Sequence, residues 1–553
     1  MKAIKPTRTL GIKLTHDAGV ALIEDDELVF STELEKMHNA PRYTDASSFE
    51  EVLDVLDEED VDVDSIDSFV IDGWKNGGIK RNVFYHLQLA PYHQFDCDWG
   101  NPLRASKFSQ LLRHHDRPFL SYPHVTSHII GAYMTAPFAG EVAYCVVWDG
   151  GVPPQLYRIE KGQVTFESFL GKLYGLIYGI MGYYAGPYKN QLLIDGKISP
   201  NDRQLFGGRE IPGKLMSWIA HGKPNDHVLA SARAVYDTLM WPQFAYDQTS
   251  IPEHHFIKTL RNLTPYASDE DFLASVHHFL QKDLVRQVTF QVPRDSNLIF
   301  VGGCALNIKW NSALRNTGQF ADLWVPPFTN DAGSAIGAAA THAFVQHGVR
   351  KLRWNVYSGP KLHQGQLALG WSNYQCSIGA LADFLFNNPD QPVVFLHGRA
   401  EIGPRALGHR SLIMNPESKN GQAVLNDIKG RESWRPVAPI ALERHAAMAF
   451  LPGSPDPYML FDHDVRLEWR HRIPAVVHMD GTARLQTVGS DGCPAVKELL
   501  ESFALRSGYG ILCNTSANLN GSGFFPDVSS AMKWGKCDYI WSDNVMHYQR
   551  AWS

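Results

Sequence analysis

Signatures that would settle a function at once are missing. The chain carries no CxxC pair, no GxxxxGK[ST] phosphate loop, no HExxH helix and no GxSxG elbow. Cysteine is scarce, with seven in 553 residues at irregular spacing. That argues against a disulfide frame or a zinc knuckle and for reduced thiols in a cytoplasmic protein. The start, Met1-Lys2-Ala3-Ile4-Lys5-Pro6, lacks the apolar core of a signal peptide. No uncharged apolar run reaches bilayer length, so no membrane is expected. Positive charge is not in excess: 51 Lys/Arg stand against 58 Asp/Glu, a formal charge of -7. This argues against a nucleic-acid coat, although a local basic cleft stays open.

What is present is an ordinary globular composition, 44% hydrophobic and 20% charged. A chain of this length is too long for one core, and two or three domains are expected. Thr9 to Leu14, Gly19 to Ile23 and Leu28 to Ser31 read as three strands joined by polar turns. The first turn, Thr15-His16-Asp17-Ala18, can offer backbone amides to a phosphate, or it can be a plain meander. Residues 47 to 72 read as a helix feeding a strand. Residues 76 to 122 are rich in His, Tyr, Arg and Gln without periodicity, and read as an insertion that shapes a substrate pocket.

Residues 123 to 134 read as a helix that places His124 and His128 on one face, a geometry suited to a metal. The apolar strand Val142 to Trp148 ends in Asp149-Gly150-Gly151. An acid at a strand tip before glycines can hold a cation or cap a turn. Leu298 to Val301 is another buried strand, and it runs into Gly302-Gly303-Cys304-Ala305-Leu306-Asn307. A strand followed by a double glycine and a helix start lets a base or a phosphate approach the backbone. Asp331 heads a small-residue helix, where it can cap the helix or reach a metal.

Residues 354–377 shift in composition and form the expected linker. Beyond it, Val393-Val394-Phe395-Leu396 empties into Gly398-Arg399-Ala400-Glu401-Ile402-Gly403-Pro404-Arg405-Ala406-Leu407-Gly408-His409-Arg410-Ser411. Glycine lets the backbone approach a ligand, and guanidinium forks match phosphate oxygens. A solvated loop with surface arginines is the plain alternative. From Arg399 to Arg435, Lys and Arg outnumber Asp and Glu although the whole chain is acidic. There the basic residues punctuate Gly/Pro turns, which favours convergence on a site.

Taken together, these motifs resemble the O-carbamoyltransferase family, of the NodU, CmcH and TobZ kind. The resemblance rests on Thr15-His16-Asp17-Ala18, His124-x-x-x-His128, Asp149-Gly150, Gly302-Gly303-x-Ala305-Leu306-Asn307 and Asn330-Asp331-x-Gly333. In the second half it rests on the Gly398 to Gly408 loop, Ile428-Lys429-x-Arg431-Glu432, Arg435-Pro436 and Asn514-Thr515-Ser516. It implies an α/β protein with an actin-like ATPase (ASKHA) N-terminal domain over 1–353. A YrdC-like α/β domain over 378–553 would follow the linker.

The implied chemistry has two steps. Carbamoyl phosphate and ATP give carbamoyl-adenylate in the second domain, and the first domain passes the carbamoyl group to an alcohol. The resemblance assigns catalysis to His16, Arg405, Lys429, Arg435 and Arg484. His16 would be the general base, and the basic residues would cancel repulsion between two polyanions. Gly150, Gly302, Gly303, Asn307, Arg399, Arg431, Asn514 and Ser516 would bind the nucleotide and co-substrate. His124, His128, Asp149 and Asp331 match the family's metal site. That donor set suits Fe(II), with Mn(II) or Zn(II) also compatible, and Mg(II) would accompany ATP.

The expected acceptor is a hydroxylated small metabolite. The alternatives are a hydroxymethylated nucleobase, free or in DNA, and a nucleotide-driven switch or chaperone-like protein on the same fold. A homodimer is an admissible assembly. The chain departs from the family at Asn520, where an Arg is usual, at Gly196-Lys197-Ile198-Ser199, and at Gly19, where many relatives have Ser.

Overall fold

The computed structural model describes residues 5–74, 89–95, 100–108, 118–189, 209–241, 252–363, 365–519 and 521–549. Asn520 and residues 196–199 lie outside them, as does much of the stretch 76–122.

The first half repeats one topology twice. In the first sheet, β1 (Arg8–Lys13), β2 (Gly19–Glu24) and β3 (Glu27–Glu33) form an antiparallel meander. β4 (Ser68–Asp72) lies parallel to β1, β5 is Ser106–Phe108, and β6 (Phe119–Tyr122) lies parallel to β4. The second sheet repeats the pattern. β7 (Ala143–Val147), β8 (Gln155–Glu160) and β9 (Gln163–Phe169) make the meander. β10 (Asn297–Val301) and β11 (Asp322–Trp324) add parallel strands on the β7 side. The sheet orders are therefore β3-β2-β1-β4-β6-β5 and β11-β10-β7-β8-β9. Strands such as β4 and β10 are almost wholly apolar because helices cover them.

Two buried helices fill the space between the sheets. His124–Thr135 follows β6 yet packs on β7 and β10, and Ser334–Gln346 packs on β1, β2 and β4. Glycine permits this approach. A Cβ on Gly11 would lie 2.0 Å from the Ala335 carbonyl oxygen, and one on Gly337 would lie 2.0 Å from that of Ser127. The crossing carries the two histidines and Asp331 into the centre of the molecule.

The second half is a mixed sheet of eight strands. Its members are β12 (Trp371–Gln375), β13 (Val393–Leu396), β14 (Arg410–Met414) and β15 (Ala438–Leu442). A small side sheet interrupts the sequence with β16 (Phe450–Leu451), β17 (His463–Val465) and β18 (Thr482–Ala483). β19 (Gln486–Val488), β20 (Ile511–Ser516), β21 (Tyr539–Ser542) and β22 (Val545–Gln549) complete the order β12-β22-β21-β13-β14-β20-β15-β19. The Gly398 to His409 loop closes the antiparallel hairpin of β13 and β14.

The fold is mixed α/β, as expected. Two details differ from the sequence reading. Residues 119–122 of the stretch read as an insertion are a strand of the first sheet, paired with β4. The run is only four residues long and sits among polar neighbours, so periodicity does not reveal it. The expected linker 354–377 contains β12, and before that it lies along β3, where Ser31 N–H donates to the Ser358 carbonyl at 2.8 Å. Among the described residues, no helix is long and apolar enough to cross a membrane.

Candidate active site

Four side chains from three elements meet between the first two sheets: two from the helix His124–Thr135, one from the end of β7 and one from the turn at Asp331. One ligand atom from each of His124, His128, Asp149 and Asp331 lies within 4.8 Å of the others. The Nε2 atoms of His124 and His128 face each other at 3.1 Å. Asp331 Oδ1 lies 3.3 Å from His124 Nε2 and 3.4 Å from His128 Nε2. Asp149 Oδ1 accepts from the Gly303 amide at 2.7 Å, and its Oδ2 accepts from the Tyr92 hydroxyl.

A second ring of groups orients this set. Asp72, at the end of β4, lies 2.7 Å from His124 Nδ1 and accepts from Lys13 Nζ at 2.9 Å. Lys13 also pairs with Asp331 at 3.1 Å. Burial alone would weaken the basicity of His124, but Asp72 and Asp331 outweigh it and hold the imidazole up, to about 9. A proton so strongly held between carboxylates marks a place where a cation is favoured. The partner at Nδ1 leaves Nε2 as the ligand atom, an arrangement usual for metal-binding histidines. Two imidazoles and two carboxylates therefore fit a divalent transition metal.

His16 stands at the rim. Its Nδ1 lies 3.0 Å from Asp17 Oδ2 and its Nε2 lies 3.4 Å from Asp331 Oδ2. Gly302 takes φ +97° and passes so close to Trp148 that a Cβ would lie 2.5 Å from its carbonyl oxygen. A Cβ on Gly150 would meet nothing within 4 Å. Asn307 is buried, caps the helix Ile308–Arg315 and donates to the Tyr178 hydroxyl at 3.3 Å.

The second half holds a pocket of opposite charge. Lys429 is buried, and its Nζ donates to the carbonyls of Ser516 at 2.6 Å and Asn518 at 3.0 Å. Burial and the neighbouring Arg431, Arg42 and Arg435 push its basicity well down. Burial and Arg484 do the same most strongly to Arg405. Arg484 falls to about 10 and Arg431 to about 9, again by burial first and by neighbouring guanidinium groups second. Among the described residues, the Nε atoms of Arg405, Arg484 and Arg42 are buried without a hydrogen-bond partner. Crowded cations of this kind gain from an anion among them. Arg435 keeps one acid, Glu432, at 3.8 Å. Ser516 Oγ donates to Asn518 at 2.8 Å, and Asn514 Nδ2 donates to Gln486 at 2.8 Å.

Of the three arginines in the hairpin loop, the structure brings only Arg405 to this pocket. Arg399 forks onto Glu59 of the first half at 2.6 and 2.9 Å. Arg410 turns inward and donates to the His397 and Gly398 carbonyls at 2.8 and 2.9 Å. Glu401 shapes the loop by accepting from the Leu407 and His409 amides, both at 2.7 Å.

Sequence reasoning missed Asp72, Lys13, Tyr92 and Arg42. Arg42 comes from the first half, where its amide donates to the Gly521 carbonyl at 2.8 Å. No local pattern distinguishes these residues from ordinary surface or strand positions.

One chain thus holds a cluster able to take a metal in its first half and a polycationic pocket in its second. The chain matches the family model described as carbamoyltransferase N-terminus over residues 8–340, and the one described as carbamoyltransferase C-terminus over 386–547. It belongs to the carbamoyltransferase family. It is 41% identical to nodulation protein U of Sinorhizobium fredii, over 98% of this chain and 99% of that protein. It is 42% identical to nodulation protein U of Rhizobium tropici, over 98% and 96%. With 3'-hydroxymethylcephem-O-carbamoyltransferase of Streptomyces clavuligerus it shares 29% over 95% of each chain. Among solved structures, full-length HypF in its phosphate- and nucleotide-bound form covers 64% of this chain and 48% of its own, at 12% identity and a TM-score of 0.33.

Proposed function

We propose that this carbamoyltransferase draws its carbamoyl group from carbamoyl phosphate and ATP, activates it as carbamoyl-adenylate in the second half, and passes it to a hydroxyl in the first half. The observation that carries this reading is the convergence of Arg42, Arg405, Lys429, Arg431, Arg435 and Arg484 around one pocket, with Glu432 the acid paired to it. Joining two phosphorylated substrates requires their negative charge to be neutralised, and fixed guanidinium groups do this without reorganisation.

The duplicated sheets with crossing helices support the actin-like reading of the first half. The second half is read as the adenylate-forming, YrdC-like unit. His16 is the proton acceptor for the attacking alcohol. Its Nδ1 contact with Asp17 orients the ring, and its Nε2 points to the same carboxylate that faces His124 and His128. A divalent metal, Fe(II) by preference, would be held by His124, His128, Asp149 and Asp331. Once bound there, it would supply positive charge beside the departing phosphate. The acceptor is a hydroxylated small molecule, and the hydroxymethyl group in the name of the Streptomyces relative supports that class.

The test is mass spectrometry of a panel of hydroxylated small molecules, incubated with enzyme, ATP and carbamoyl phosphate, and with hydroxymethylated DNA as competitor. The reading expects a carbamoyl mass shift on small molecules and pyrophosphate release that depends on carbamoyl phosphate. Pyrophosphate release indifferent to carbamoyl phosphate would overturn it, and label in DNA alone would move the acceptor to the nucleobase.

A further inference from the structure

We infer that His397, His409 and Cys493 form a second metal site, separate from the first, that takes a borderline-soft divalent ion of the zinc type. A ring nitrogen of each histidine and the Cys493 sulfur lie within 4.8 Å of one another. His409 Nε2 is 2.9 Å from Cys493 Sγ. The site belongs to the base of the anion loop, since His409 is four positions from Arg405.

The surroundings fit such a role. Each imidazole is engaged at Nδ1, which leaves Nε2 as the lone-pair nitrogen. His409 Nδ1 donates to the Arg399 carbonyl at 2.6 Å, and His397 Nδ1 lies 3.1 Å from Asp543 Oδ1. Outer partners of this kind fix the tautomer and direct of metal-ligating histidines. The Tyr357 ring stacks on His409 at 3.7 Å and holds its plane. Cys493 occupies the N-cap position of the helix Pro494–Ser507; burial pushes its thiol up, and the Val496 and Ala495 amides of the helix oppose this only in part.

His409 and Cys493 are each 6% exposed, whereas the His397 side chain is 32% exposed. The open flank gives the ion an entry, and it gives water the fourth position of a tetrahedron. Against the ion stands the charge of Arg410, whose NH1 lies on the His397 and His409 carbonyls at 2.8 and 3.1 Å. Asp543 and Glu401 offset it. Binding replaces the thiol proton, which leaves to solvent, and forms the metal–sulfur bond. The ion would then brace the loop that carries Arg405 and Arg399.

Cobalt(II) separates this site from the other, because thiolate–cobalt charge transfer in the near ultraviolet needs a sulfur ligand. The full-length protein, stripped of metal, is titrated with cobalt(II) and then with zinc(II). The expected result is a charge-transfer band in the unmodified protein and in Cys304→Ser, removed by zinc and absent in Cys493→Ser. His397→Ala is expected to weaken cobalt binding at this band by about tenfold or more. No band in the unmodified protein, or a band that survives Cys493→Ser, would overturn the inference. Should Cys493→Ser not fold, His397→Ala decides, and an unchanged affinity there overturns it equally.

Discussion

Lys36 Nζ lies 2.6 Å from the carbonyl oxygen of Gly403. This contact ties the edge of the first sheet to the middle of the anion loop, and a second bond to the Glu401 carbonyl at 2.7 Å doubles it. Glu33 completes the clamp. It pairs with Lys36 at 2.6 Å and accepts from the Gly403 amide at 2.7 Å. Gly403 itself takes φ +84°, and a Cβ there would lie 2.2 Å from the Pro327 carbonyl oxygen. The loop is thus held between the two halves, not displayed to solvent.

Lys36→Met tests the clamp. The ion pair is buried, and removing one partner leaves Glu33 uncompensated, a loss of about 3–5 kcal/mol in comparable cases. The expected outcomes are a lower thermal midpoint and a weaker apparent affinity for carbamoyl phosphate. A variant with unchanged midpoint and affinity would show that the clamp neither stabilises nor positions the loop.

The two pockets make separable predictions. Arg405→Ala is expected to cut carbamoyl-phosphate-dependent pyrophosphate release by roughly a hundredfold or more, since it removes a fixed charge at the anion pocket. Arg42→Ala is expected to act in the same step although it lies in the other half. His16→Ala is expected to leave pyrophosphate release intact and slow transfer to the alcohol by about 10²–10⁴. The measurement is pyrophosphate release alongside product mass for each variant. Loss of the same partial reaction in Arg405→Ala and His16→Ala contradicts the division of labour.

Much of this site was legible in the sequence, and the reasons are local. His124 and His128 share a helix face, Asp149 ends a strand before glycines, and Asp331 heads a small-residue helix. The first meander showed itself as apolar runs between polar turns, whereas the strands Gln155–Glu160 and Gln163–Phe169 of the second were not read. Tertiary contacts were not legible. Nothing near Arg399 in sequence indicates that it pairs with Glu59, 340 positions away, and nothing near Asp72 marks it as the partner of His124. Ion pairing depends on which surfaces meet, and a basic loop reads the same whether its counter-charge is a ligand or a neighbouring helix.

Glu35 gives a pH prediction. Burial first, then the carboxylates of Glu33 and Asp17, push it up to about 7, against the opposing charges of Arg42 and Lys36. Between its ordinary value of 4.5 and about 7, the folded chain keeps a proton that the unfolded chain has lost. Stability therefore falls as pH rises through that window and levels off above it. The shift corresponds to about 3 kcal/mol. Glu35→Gln keeps an acceptor for the Tyr43 amide, which lies 2.8 Å from Oε2. It is expected to flatten the slope between pH 5 and about 7 and to raise the thermal midpoint at pH 8. Melting curves of both proteins across that range check this, and parallel curves count against it.

Asp72→Asn separates a metal-orienting role from a merely structural one. The carboxylate bonds His124 at Nδ1 and Lys13 at Nζ, and it makes no contact that would place it among the four ligand atoms. An amide of the same shape retains an acceptor oxygen but loses the charge that strengthens the imidazole as a donor through Nε2. It also leaves Asp331 as the remaining carboxylate paired to Lys13, which draws that carboxylate away from His124 and His128. Both effects weaken the same site, so metal affinity is expected to fall by about 10–100-fold. Metal content after equilibration against a buffered Fe(II) or Mn(II) series measures this without any activity assay. Far-ultraviolet circular dichroism and the thermal midpoint of the metal-free protein report folding separately. A variant that holds metal as tightly as the unmodified chain, with the same fold, would remove Asp72 from the metal's support.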